Sequence, residues 1–186
     1  MTLASVARAD DGTLRSIEHY LNGLTTVTAK FSQVAPNGEI SEGIFYLQRP
    51  GKMRWEYAAP IPIVMVSNGD TLVYYDKELS QKTYIPLKDT LAALLVRDHI
   101  SLSGDIVVDE IEKGGDNILV TLHQAGKADE GGMIMEFQKS PLQLRSLSLT
   151  DAIMQQTKIS FTDAKFGGAI ESKVFVLEED IRRERK

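Results

Sequence analysis

The chain carries three histidines, His19, His99 and His123, and no cysteine. No two of the imidazoles stand in the H-x-x-x-H or H-E-x-x-H spacing that places zinc ligands on one helical face. The lack of thiols removes disulfides, thiolate nucleophiles and cysteine-based zinc sites together. A G-x-S-x-G elbow, a Walker loop and a G-x-G-x-x-G turn are all missing. Acidic groups such as Asp109, Glu110 and Glu112, or Glu178, Glu179 and Asp180, lack the order of a calcium loop and read as solvated faces or helix-end charges. The expectation is a protein that is not an enzyme and uses no metal or cofactor. What remains is apolar chemistry. In R-P-G-K-M-R-W-E-Y-A-A-P, residues 49–60, Met53, Trp55 and Tyr57 fall at every second position with Lys52, Arg54 and Glu56 between them. A strand points alternate side chains to opposite faces, so one face of this run is apolar and the other charged. Met53, Met65, Met133, Met135 and Met154 lie in or beside similar runs, and thioethers adapt to irregular shapes. A curved sheet so lined suits flexible apolar ligands such as acyl chains.

Two kinds of element must position these residues. In residues 13–24, Leu14, Ile17, Leu21 and Leu24 recur at steps of three and four, which predicts a helix capped by Asp11 or Thr13. Residues 87–97 place Leu87, Leu91, Leu94 and Leu95 on one face and predict a second helix. Elsewhere the period is two. V-T-A-K-F-S-Q-V puts Val27, Ala29 and Phe31 on one side, Asn37-Gly38 supplies a hairpin turn, and further β-rich runs follow at intervals of about ten residues. This is an antiparallel meander with two helical segments, in 186 residues that fit one domain. Residues 1–12 read as a disordered or processed lead, 13–178 as the domain and 179–186 as a charged tail. Ala7-Arg8-Ala9 resembles the end of an export signal, although no apolar stretch precedes it. Around Lys173–Leu177 a closing strand is expected. The formal charge of −5 argues against nucleic acid, which needs a basic stripe, and no apolar run is long enough to span a membrane as a helix.

Several ordered motifs carry a resemblance. F-S-Q at 31–33, Gly43-x-x-x-Leu47-x-Arg49-Pro50, M-R-W-E-Y-A-x-P at 53–60, V-S-N-G-D-T-L-V-Y-Y-D at 66–76 and L-S-Q-K-T-Y at 79–84 closely resemble the LolA family of periplasmic outer-membrane lipoprotein carriers. The resemblance implies a mainly β fold, an incomplete, half-open antiparallel barrel of about eleven strands closed by a helical lid. It implies a monomeric, periplasmic chaperone that takes acylated lipoproteins from an inner-membrane ABC transporter to an outer-membrane receptor or to the membrane itself. The lipid would be held by Leu21, Leu24, Phe31, Phe45, Leu47, Met53, Trp55, Tyr57, Met65, Leu91, Leu94 and Leu95. The family's lid-holding arginine matches Arg49. Related half-barrels bind lipids or glycolipids, or sense envelope stress, and form the alternative reading.

Overall fold

A computed structural model describes residues 11–177; the A-x-A-like lead and the charged tail lie outside the described residues. Helix α1 (Asp11–Gly23) precedes β1 (Thr26–Val34), β2 (Ile40–Gln48), β3 (Lys52–Tyr57), β4 (Ile63–Asn68), β5 (Thr71–Asp76) and β6 (Gln81–Pro86). After the short helix α2 (Ala93–Val96) come β7 (Ile106–Gly114), β8 (Asn117–Gln124), β9 (Gly131–Lys139), β10 (Leu142–Asp151) and β11 (Gln156–Phe166). All eleven strands form one antiparallel sheet in the order β6-β5-β4-β3-β2-β1-β11-β10-β9-β8-β7. The first and last strands are therefore central neighbours. The two edges, β6 and β7, follow each other in the chain, and residues 87–105 run from one to the other. The segment that should close the barrel thus becomes its lid. The fold is the incomplete antiparallel barrel that the resemblance implies.

The apolar side chains of the strands gather on the face that α1 and the lid segment cover. One cluster joins Ile17 and Leu21 of α1 and Leu94, Leu95 and Ile100 of the lid to Val120, Leu122, Met133, Met135, Phe137 and Leu147. A second joins Val27, Ala29, Phe31, Phe45, Leu47, Met53 and Trp55 to Leu87 and Val96. Leu24, Leu149 and Phe161 pack against both. Burying each such side chain contributes about 1.5–3 kcal/mol, so the two halves of the sheet have separate, strong holds on the lid.

Two expectations need correction. The helix predicted over 87–97 is instead a 3-10 turn, Leu87–Asp89, and a four-residue helix, Ala93–Val96. The break falls at Thr90, whose backbone is extended. Its N–H and hydroxyl both donate to the Leu87 carbonyl, at 3.0 and 2.8 Å. Such a local bond competes with helix continuation. Second, residues 173–177 form no strand. β11 is already paired on both sides, with β1 and β10, so it offers no free edge. Ser172–Phe175 instead make a 3-10 turn over the convex face of β3 and β4. Phe175 and Leu177 are buried there, Leu177 in a cluster with Val64 and Val66.

That turn also covers part of the charged face of β3. The charged side of K-M-R-W-E-Y is not simply solvated, because Arg54 is only 7% exposed. Its Nη1 donates to the Val174 carbonyl at 3.1 Å and its Nε to Glu56 Oε2 at 2.9 Å. Burial pushes the Glu56 carboxyl up, but Arg54 and Lys77 together outweigh this and hold it below the usual carboxylate range. A carboxyl depressed in the fold contributes stability above its unfolded pKa and loses it as pH falls through the folded value. The C-terminal turn is therefore expected to loosen below about pH 4. Limited proteolysis across pH 3–7 should show cleavage near residue 172 rising in acid, and Glu56→Gln should flatten that profile. An unchanged profile in Glu56→Gln would remove Glu56 from this role.

Candidate functional site

The site lies at the seam between the two clusters. α1 contributes Leu21, the turn after it Leu24, the lid Leu95, and the sheet Val27, Ala29, Phe45, Leu47, Leu147 and Phe161, around a narrow, partly open space of about 40 Å³. That is little more than the share of one water molecule in the liquid, about 30 Å³. Sites for drug-sized ligands run to roughly 300–1,000 Å³. The structure is thus a closed state, whose apolar walls are in contact with each other. A wider concavity, about 930 Å³, is elsewhere, between residues 68–71 of the sheet and the lid segment. It is open to solvent and lined by Pro50, Leu87, Ala93 and Val96 as well as by Asn68, Asp70, Lys88, Arg97 and Asp105, and so gives an acyl chain little enclosure.

Beside the seam an aromatic wall stands on β1, β2, β3 and β11. Phe31 meets Trp55 and Tyr57 edge to face, with ring centroids 5.1 Å apart in each case. Phe45 lies 4.3 Å from Trp55 and 5.6 Å from Phe161. The Tyr57 hydroxyl donates to Gln33 Oε1 at 2.8 Å, and burial raises its pKa. This is why an aromatic with a polar tip fits at the rim.

The lid is held by hydrogen bonds as well as packing. Arg49 Nε donates to the Leu95 carbonyl at 2.8 Å, and the Gly51 N–H donates to the next carbonyl, Val96, at 2.8 Å. Pro50 between them has no N–H to give. The Arg-Pro-Gly turn thus grips two consecutive carbonyls at the end of α2. Burial pushes the Arg49 guanidinium below its usual pKa, though an arginine stays charged. Its Nη1 is buried without a partner, so the grip is incomplete. Further along, Asn22 of α1 exchanges two bonds with Ile100, Nδ2 to O at 2.9 Å and N to Oδ1 at 2.8 Å. Glu18 Oε1 accepts from the Leu102 N–H at 2.7 Å. These bonds join α1 to the loop after α2.

Of the residues expected to hold lipid, the narrow space brings together Leu21, Leu24, Phe45, Leu47 and Leu95, with Arg49 at its border. Phe31, Met53 and Trp55 are buried in the adjoining cluster, with Tyr57 and Met65 partly buried against it. Leu91 and Leu94 belong to the cluster under α1. Sequence reasoning did not find Tyr20, Leu144, Leu147, Phe161 or Ala164 in the lining. Four of these five sit on β10 and β11, where the register shifts near Arg145 and near Asp163, so alternation counted from one strand end gives the wrong face. The Gly51 contribution is a backbone donor and has no signature in residue type.

An open half-barrel with an apolar seam under a hydrogen-bonded lid defines a hydrophobic-ligand carrier fold. A model of the family "Outer membrane lipoprotein carrier protein LolA" matches residues 22–178, and the chain belongs to that family. An outer-membrane lipoprotein carrier protein of Pseudomonas aeruginosa is 31% identical, over 94% of this chain and 88% of its own. One of Methylococcus capsulatus is 30% identical, over 86% and 80%. Among solved structures, an uncharacterized conserved protein from Thermus thermophilus has a TM-score of 0.55 at 11% identity, covering 91% of this chain and 94% of the other. A LolA superfamily protein from Nitrosomonas europaea has 0.51 at 10%, covering 89% and 98%. At those identities the likeness is one of fold.

Proposed function

We propose that this chain is a periplasmic chaperone that takes up the acyl chains of lipoproteins leaving the inner membrane and carries them to the outer membrane, acting as a monomer without catalysis. The observation that carries the reading is the seam: two apolar clusters meet under a lid that hydrogen bonds hold shut, with almost no room inside until the lid moves. Its cargo would arrive from a lipoprotein-releasing ABC transporter and leave to a receptor or to the outer membrane. Residues 13–178 would constitute the carrier domain. Burying an acyl chain releases about 0.8 kcal/mol per CH₂, so such cargo needs continuous cover in water. The same energy would separate α1 and Leu95 from Phe45, Leu47 and Phe161, replacing protein–protein contacts by protein–lipid ones.

The test is release from spheroplasts. Spheroplasts making labelled lipoprotein are incubated with purified protein, and the soluble fraction is examined for a complex. Protein-dependent release of acylated lipoprotein is the expected result. No release, with an acyl-chain fluorophore still bound, would leave the fold as a free-lipid binder and overturn the carrier reading.

A further inference from the structure

The strand pattern divides the connections of the sheet between two rims. One rim holds residues 35–39, 58–62, 77–80, 125–130 and 152–155, the turns at which β1, β3, β5, β8 and β10 end. Among the described residues, the large aliphatic side chains more than 60% exposed are Ile40 at 69%, Leu79 at 63%, Ile153 at 72% and Met154 at 81%, and the one aromatic so exposed is Tyr84 on the edge strand β6. All four aliphatic residues stand in or immediately beside turns of this one rim. Single exposed apolar residues scattered over a surface need no explanation, but concentration at one end does.

The most exposed pair is held out by design of the turn. Asp151 Oδ1 accepts from the N–H groups of Ile153 and Gln155, at 3.0 and 2.9 Å. Its backbone carbonyl accepts from Met154 N–H at 3.0 Å. Met154 itself has φ +63, a left-handed conformation uncommon outside glycine, asparagine and aspartate. The tip is therefore a shaped loop that presents Ile153 and Met154 to solvent, and β1 places the Ile40 hairpin next to it, since Val34 pairs both with Ile40 and with Lys158 of β11.

We propose that this rim is a membrane-docking surface, and that Ile153 and Met154 dip into the interfacial layer of a zwitterionic bilayer. The tips sit on separate loops, so a protein partner would need a separate socket for each, whereas a bilayer surface accepts them all at once. Loops 58–62 and 152–155 carry no charged side chain, and the other three set Lys77 and Lys127 against Glu39, Glu78, Asp129 and Glu130. That balance gives no attraction to anionic lipid, so the contact is apolar, shallow and reversible. It rests on no lipoprotein cargo and is tested without any, so its failure would leave the carrier reading standing.

Because the chain has no cysteine, single labels are clean. Met154→Cys on this rim and Asp116→Cys in the β7–β8 turn of the opposite rim are each labelled with an environment-sensitive fluorophore and mixed with phosphatidylcholine vesicles. A blue shift at position 154 and none at 116 is expected. The double variant Ile153→Ser/Met154→Ser, both positions being exposed, should float with vesicles about tenfold less than the unaltered chain while keeping its circular dichroism spectrum. Equal shifts at both rims, no shift at 154, unaltered flotation of the double variant, or binding only when the vesicles contain membrane protein would each overturn the proposal.

Discussion

Arg49→Leu is expected to take up acylated lipoprotein as well as the unaltered chain, or better, and to deliver it at least tenfold more slowly. A charged hydrogen bond is worth about 1.5–3 kcal/mol net, and Arg49 gives one such bond, from Nε to the Leu95 carbonyl. In the closed state that energy is subtracted from the energy of loading, because the apparent affinity of a ligand falls with the fraction of protein that is open. Removing the bond raises that fraction by roughly tenfold to a hundredfold. The Gly51–Val96 bond and the Asn22–Ile100 pair remain, so the lid loosens without being lost and the fold stands. The cargo then binds more tightly, and the closed state that competes with it and drives release is depleted. Two measurements check this. Transfer of preloaded lipoprotein to outer membranes should slow. Quenching of Trp55, the single tryptophan and 6% exposed, by acrylamide should rise in the cargo-free variant. Transfer at the unaltered rate would remove Arg49 as the latch.

Gly43→Ala is expected to lower the melting temperature by roughly 10 °C, from a destabilisation of about 3 kcal/mol. Gly43 faces the aromatic wall on β2, between Phe31 of β1 and Tyr57 of β3 in register. A Cβ at this position would press on the Glu56 carbonyl oxygen and lie 2.6 Å from the Phe31 ring. The ring has little freedom to retreat, since Trp55 and Tyr57 pack edge to face on it. The backbone oxygen of a central strand has less. Both neighbours must shift, and the cost is that of overpacking a close-packed core. Thermal unfolding followed by circular dichroism reads it directly. A loss of under 2 °C would mean that β3 can move away freely, and the wall would not be the rigid side of the seam.

Much of this was legible in the residues. Alternation on β1 through β5 is regular because those strands pair with one another without a register shift, so Phe31, Phe45, Leu47, Met53 and Trp55 could be assigned to one face by parity alone. β6 escaped notice as a strand except through its motif. It is an edge, with four of its six residues exposed, and an edge need not alternate. Beyond residue 100, shifts in β7, β10 and β11 break the period on which parity depends, and Leu144, Leu147 and Phe161 were lost with it. The segment 87–97 has a helical apolar period, yet its length is used to bridge two strand edges, and Thr90 ends one turn before the next begins.

By itself the sequence determined the class of the molecule: a cysteine-free, mildly acidic antiparallel sheet with one apolar face, a leading amphipathic helix and no catalytic constellation. The Arg49-Pro50-Gly51 step also marks, by its residue types, a place where a strand stops, because a proline cannot continue a ladder. Only the tertiary structure decided where that step points, because the carbonyls of Leu95 and Val96 reach it from α2 of the lid, some 46 residues further along the chain. The same holds for Arg54, which alternation placed on the charged face of β3 and the C-terminal turn covers. Local periodicity reports which side of a strand a residue faces, but not what another part of the chain lays over that side. That depends on long-range contacts, and here they make an open barrel a closable one.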